Sequence, residues 1–135
     1  MKQVTKLMIR EFNIKKLGFD FMGYHLDKRD ILTYHHLIIP NRNGGKITRD
    51  NGAIIQRVPH DYLHLIEAID YDTFCYLTSE MIDMNVKGYL DMNNIKNINE
   101  LLMQFEEEHK EDRGSKGKLL IKKEYRTGRI LMPPY

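Results

Sequence analysis

Residues 31–66 read ILTYHHLIIPNRNGGKITRDNGAIIQRVPHDYLHLI, and the punctuation inside this stretch decides how the chain is organised. Ile31 to Ile39 is an apolar run that Pro40 ends, which reads as a strand. Asn41, Asn43, Gly44 and Gly45 are strong turn formers, and Ala53, Ile54 and Ile55 make a short second strand. Pro59 suits the first residue of a helix, because its missing N–H would have no partner there. That helix is expected to run to about Ala68. The stretch therefore predicts two strands joined by a loop and followed at once by a helix.

Working outward, Asp70 reads as the cap of a next helix, with Phe74, Leu77, Met81 and Met84 on one face and Gly88 as its terminator. A third helix opens near Asn93 or Asn94 and carries Ile95, Ile98, Leu101, Leu102 and Phe105 on its apolar stripe. Upstream, Val4, Leu7, Met8, Phe12 and Ile14 have helical spacing over residues 3–16, after which Gly18 and Gly23 break the pattern. Asp27 to Asp30 reads as a polar turn. Beyond Glu111, DRGSKGK is a link, Leu119 to Tyr125 one last helix or strand, and MPPY a loose or surface-packed end. The class this predicts is α+β. Residues 1–111 are expected to form one domain, with 112–135 as a basic extension packed on it or flexibly attached.

Composition fits that reading. Of 135 residues, 41% are hydrophobic and 30% charged, enough apolar material for a core and no pattern of disorder. No apolar run approaches the roughly 20 residues that span a membrane, and the first residues lack the apolar stretch of a signal peptide, so a cytoplasmic protein is expected. The single cysteine, Cys75, excludes an internal disulfide and any cysteine-based zinc knuckle, and its setting reads as a core thiol on a helix. Net charge is +2, but Lys2, Lys6, Arg10, Lys15 and Lys16 crowd the N-terminus. The tail adds Arg113, Lys116, Lys118, Lys122, Lys123, Arg126 and Arg129. Basic ends suit a polyanionic partner or simply a well-solvated surface.

Four of the six histidines fall in the quoted stretch. His60 and His64 are four apart on the predicted helix, one above the other on one face, as a two-ligand clamp for a divalent metal requires. One histidine from the hairpin would complete three ligands. His35 and His36 are adjacent near the end of the first strand. In regular strand geometry they point to opposite faces, and only a turn or bulge would let them converge.

Two adjacent histidines, fifteen residues to Asn51, nine to His60 and four to His64 make a pattern that resembles the HNH, or ββα-metal, nucleases. The spacing is most similar to that of the colicin-type DNases, and Pro40 and Gly44-Gly45 also fall where HNH hairpins carry Pro and Gly-Gly. The resemblance covers roughly residues 31–66. The helices after it resemble small stand-alone HNH proteins of Gram-positive bacteria.

The resemblance implies a ββα-metal core packed against an N-terminal helix and further C-terminal helices. It implies that His35, His60 and His64 hold one divalent ion. It makes His36 the general base that takes a proton from the water attacking a phosphodiester, a task that suits a residue titrating near ~6.5. Asn51 would tie the hairpin together and hold the base in place. Many family members have Asp where this chain has His35. Three neutral imidazoles favour zinc, nickel or another late first-row ion, with magnesium and manganese left open. Arg42, Lys46, Arg49 and Arg57 surround the hairpin and are weak candidates for substrate phosphate contacts. The expected activity is a metal-dependent endonuclease acting on DNA in preference to RNA.

One departure stands out. Many HNH proteins frame the hairpin with two Cys-x-x-Cys pairs around a structural zinc, but here Gln56 and Pro59 occupy the second pair's positions and FMGYHLDK contains no cysteine. Packing must hold the fold instead. A non-cleaving HNH scaffold that binds nucleic acid or a protein partner, as a regulator or inhibitor, is the alternative; a purely structural zinc site is a third reading. His25 reads as a loop histidine and His109 as solvated. No sequence feature specifies an oligomeric state.

Overall fold

The computed structural model describes residues 2–38, 44–109 and 128–131. It is an α+β arrangement: α1 (Gln3–Glu11), α2 (Ile14–Leu17), β1 (Leu32–His36), β2 (Gly52–Gln56), α3 (Arg57–Ile69), α4 (Tyr71–Lys87) and α5 (Met92–Glu108). The two strands pair antiparallel, with His36 opposite Gly52, His35 opposite Ala53 and Leu32 opposite Gln56. Helix α3 leaves β2 without a linker and packs on both strands.

The single N-terminal helix expected over residues 3–16 is in fact two. Asn13 takes a left-handed conformation at φ 54°, which ends α1 and starts the short α2 at an angle to it. Asparagine tolerates this region better than other non-glycine residues. Met8, Ile9 and Phe12 then enter the core, where Phe12 meets Phe21 edge-on at 4.8 Å.

Helix α3 begins at Arg57, two residues before Pro59. Its first N–H groups find partners outside the helix: Arg57 donates to the Ile31 carbonyl at 2.9 Å and Val58 to the Asp30 carboxylate at 2.9 Å. The turn at Asp27–Asp30 thus starts the helix from across the hairpin, and Pro59 falls in the first turn, where its lack of N–H costs nothing. Asp70 caps α4 by accepting from the Thr73 N–H at 3.1 Å, and Gly88 ends it at φ 86°. Asp91 caps α5 through the Asn93 N–H.

One core joins these elements: Ala53, Ile54 and Ile55 from β2, Leu63 and Ile66 from α3, Leu77, Met81 and Met84 from α4, and Ile95, Ile98 and Leu102 from α5. Cys75 lies outside it. Its thiol is exposed on the outer side of α4, because Leu77, Met81 and Met84 define the face that turns inward. Gly52 is required by a close approach, since a Cβ there would come within 2.1 Å of the Tyr34 ring.

Two buried polar networks tie these elements together. Asp20 accepts from the Met22 and Tyr24 N–H groups with one oxygen, and from the backbone and side-chain N–H of Gln56 with the other. The Gln56 amide also donates to the His25 carbonyl and accepts from the Asp27 N–H. The second network brings back the far end of the chain. Arg129, counted in the sequence among the basic residues of the tail that suit a polyanion or a solvated surface, is instead 4% exposed, and its backbone bridges to Tyr24. The link before it, including Leu119 to Tyr125, lies outside the described residues, as does MPPY. Among the described residues no helix is long and apolar enough to cross a membrane.

A candidate metal centre

Strand alternation and helix periodicity together assemble the site. His35 points from β1 toward α3, where His60 and His64 sit one turn apart. His35 Nδ1 lies 3.1 Å from His60 Nε2, and His64 Nε2 lies 3.1 Å from the same nitrogen. All three ligand atoms fall within 4.8 Å of one another. Tetrahedral zinc with Zn–N bonds of about 2.0–2.1 Å places its nitrogens about 3.3 Å apart, so the spacing fits a metal ion. The three histidines can hold one.

Burial grades across the triad. His35 is 3% exposed, His60 is half-buried, and the His64 side chain is 51% exposed. The site is thus anchored in the core and open on the His64 side. Burial lowers the His35 pKa to about 3, with the neighbouring His60, His64 and His36 adding to the effect. Burial likewise lowers His60 to about 4, helped by His64 and opposed by Asp61. Both imidazoles are therefore neutral at neutral pH, with lone pairs free for a cation. The far nitrogens of the helix pair have contacts of their own: His60 Nδ1 with Thr33 Oγ1 at 2.8 Å, and His64 Nδ1 with Glu67 Oε1 at 3.0 Å.

His36 is the last residue of β1, and the alternation holds there. Its ring meets Tyr34 edge-on at 5.0 Å, whereas the ring contacts of His35 are with His60, His64 and Phe74. His36 remains close enough for its charge to depress His35 and His60. Its Nε2 is buried and has no hydrogen-bond partner among the described residues. Asn51 is buried beside the strand end, where its side-chain oxygen accepts from the Ile38 N–H at 2.8 Å and its amide donates to the Lys46 carbonyl at 3.3 Å. Its backbone carbonyl accepts from the Leu37 N–H at 2.8 Å. Asn51 thereby holds both residues that follow His36.

The four basic residues around the hairpin separate. Arg49 is committed to the fold: its guanidinium donates to Glu11 on α1 and to Asn85 on α4, and lies over the Phe12 ring at 5.0 Å. Arg57 pairs with Asp61 one turn along at 3.2 Å, both side chains exposed. Lys46 is exposed, and Arg42 lies outside the described residues. Of the other histidines, His25 pairs its backbone with Phe19 in an isolated bridge. His109 is half-buried rather than solvated, donating from Nδ1 to the Phe105 carbonyl at 2.8 Å.

Sequence reasoning missed Thr33 and Glu67, although both carried a local signal. Thr33 is two residues before His35 and so shares its face of the strand; Glu67 is one helical turn after His64. Comparison of the chain with protein-family models, with curated proteins and with solved structures gives no match.

Proposed function

We propose that the protein is a metal-dependent endonuclease that hydrolyses phosphodiester bonds of nucleic acid, DNA in preference to RNA. The observation that carries this reading is the convergence of His35, His60 and His64. His36 follows on the other face of β1, near enough to interact electrostatically with His35 and His60, and its buried Nε2 has no hydrogen-bond partner among the described residues. The triad supplies three nitrogen ligands and leaves its solvent side open, as a catalytic rather than a closed structural site requires. Zinc, nickel or another late first-row ion suits three neutral imidazoles best.

When bound, a divalent ion neutralises charge on the phosphate and stabilises the departing 3′ oxygen. His36 accepts the proton of the attacking water at Nε2. Asn51 holds the backbone of Leu37 and Ile38, which keeps the end of β1 and the His36 ring in position. The N-terminal helices offer a polyanion a separate basic surface. Lys6, Arg10, Lys15 and Lys16 line a cleft of about 490 Å³ with Ile9 and Asn13 and, among the described residues, no acidic side chain. The left-handed Asn13 folds the two lysines of α2 toward the two cations of α1.

Nicking of supercoiled plasmid with added zinc, nickel, manganese or magnesium tests the reading, with a structured RNA as the parallel substrate. Cleavage that falls roughly 10²- to 10⁴-fold in His36→Ala is expected. Binding without cleavage under every metal would replace the nuclease by the non-cleaving scaffold. Undiminished cleavage by His36→Ala would remove His36 as the base.

A further inference from the structure

Thr33 donates its hydroxyl hydrogen to the Ile55 carbonyl at 2.6 Å. A hydroxyl has one hydrogen, so toward His60 Nδ1, 2.8 Å away, the same oxygen can only accept. His60 must then carry its proton on Nδ1, which leaves the Nε2 lone pair facing the triad. On His64 the partner is a carboxylate, Glu67 Oε1 at 3.0 Å, which also accepts, so His64 carries its proton on Nδ1 too. Two lone pairs consequently face each other across the 3.1 Å between His60 Nε2 and His64 Nε2. No proton of either neutral ring lies between them, and a cation resolves the contact.

His35 differs. Its Nδ1 faces His60 Nε2, while its Nε2 is buried without a hydrogen-bond partner among the described residues, so nothing behind the ring selects a tautomer. The two helix ligands are set from behind, and the strand ligand is set only from the front.

We propose that Thr33 and Glu67 are positioning residues that fix His60 and His64 as Nε2 ligands, with Nδ1 of His35 as the third donor, and that Thr33 is the stronger of the two. This rests on the metal-site reading above. Thr33 is half-buried and is itself oriented by the sheet through Ile55, whereas the His64 side chain is 51% exposed and water can stand in for Glu67. A metal-ligating histidine usually donates its other N–H to such a partner, and loss of that partner typically costs 10- to 100-fold in metal affinity.

Zinc affinity of the full chain, read by competition with a chromophoric chelator, tests the proposal without recourse to cleavage. Thr33→Val should weaken zinc binding roughly 10- to 100-fold. Thr33→Ser, which keeps the oxygen, should stay near wild type, and Glu67→Ala should fall between the two. Unchanged melting of the chelator-treated variants separates the effect from unfolding; if Thr33→Val fails to fold, the Glu67→Ala series and the spectra carry the test. Long-range ¹H–¹⁵N spectra of the zinc-loaded wild type should show metal on Nε2 of His60 and His64 and on Nδ1 of His35. Equal affinity for Thr33→Val and wild type, equal loss in Ser and Val, or metal on Nδ1 of His60 would each overturn the proposal while leaving the metal site standing. Absence of zinc binding by the wild type would overturn the metal site itself.

Discussion

The guanidinium of Arg129 and the carboxylate of Glu106 meet in the core, with Nη1–Oε2 at 2.9 Å and Nη2–Oε1 at 3.0 Å, at 4% and 5% exposure. The pair does not stand alone. Arg129 also donates to Asn99 and to the Tyr24 hydroxyl, and Tyr62 on α3 donates to the same Glu106 carboxylate. Through Tyr62, the returning end of the chain bears on the helix that carries His60 and His64. Removing one member of a buried pair leaves the other charge uncompensated, which typically costs about 3–5 kcal/mol. Arg129→Met should therefore destabilise the protein by that order in denaturant unfolding, and deletion from residue 128 onward should do at least as much. A loss below about 1 kcal/mol would show that the end of the chain is dispensable.

Acid should weaken the metal-free protein through His35. Its folded pKa of about 3 lies below the ordinary value of 6.5, so below pH 6.5 the unfolded chain binds a proton that the folded chain refuses. Stability from this group is full above pH 6.5 and is lost as pH falls toward 3. At pH 4.5 the loss is about 3 kcal/mol, two pH units at about 1.4 kcal/mol each. His35→Gln should flatten the stability profile between pH 7 and 4.5 by this amount. Asp20, raised to about 6 by burial, pulls in the opposite direction over its own window, but it is common to both proteins and cancels. Parallel profiles would refute the assignment.

Metal should act as a stabilising ligand of the folded state. At a free zinc concentration 100 times Kd, linkage adds about 2.7 kcal/mol to unfolding, and chelator should reverse it. His60→Ala removes the nitrogen that lies between the other two and should abolish the zinc-dependent rise in melting temperature. A persistent rise in that variant would place the ion elsewhere.

Reversal of charge in the N-terminal cleft should affect nucleic-acid binding alone. Lys15→Glu with Lys16→Glu should weaken binding of duplex DNA and reduce the slope of log K against log salt by about 2. Zinc affinity should not change. An unaltered salt slope would remove the cleft from the path of the substrate.

The hairpin and its helix were legible because their signals are local: turn formers between two apolar runs, and a helical repeat that puts His60 and His64 on one face. The cap at Asp70 and the stop at Gly88 were legible for the same reason, whereas α5 starts at Met92 behind the Asp91 cap rather than at the expected Asn93 or Asn94. The break at Asn13 was not, because an asparagine inside an apolar repeat carries no mark of a left-handed backbone. Nor was the early start of α3, which depends on Asp30 and Ile31 across the hairpin. Cys75 sat close enough to the apolar stripe to read as core, and only the packing of α4 showed which way it turns.

By itself, the sequence determined the α+β class, the order of the central elements and the pairing of His60 with His64 on one helix face, since periods of 2 and 3.6 residues dictate which side chains share a face. His35 as their partner was implied by a resemblance, and the structure brings it to them. Tertiary structure alone decided what closes and orients that arrangement. Asp20 reaches Gln56 across 36 residues, Thr33 reaches His60 across 27, and Arg129 reaches Tyr24 across 105. Each of these polar groups satisfies its hydrogen-bonding demand with a partner far along the chain, and no local pattern records which distant group folding will bring within 3 Å.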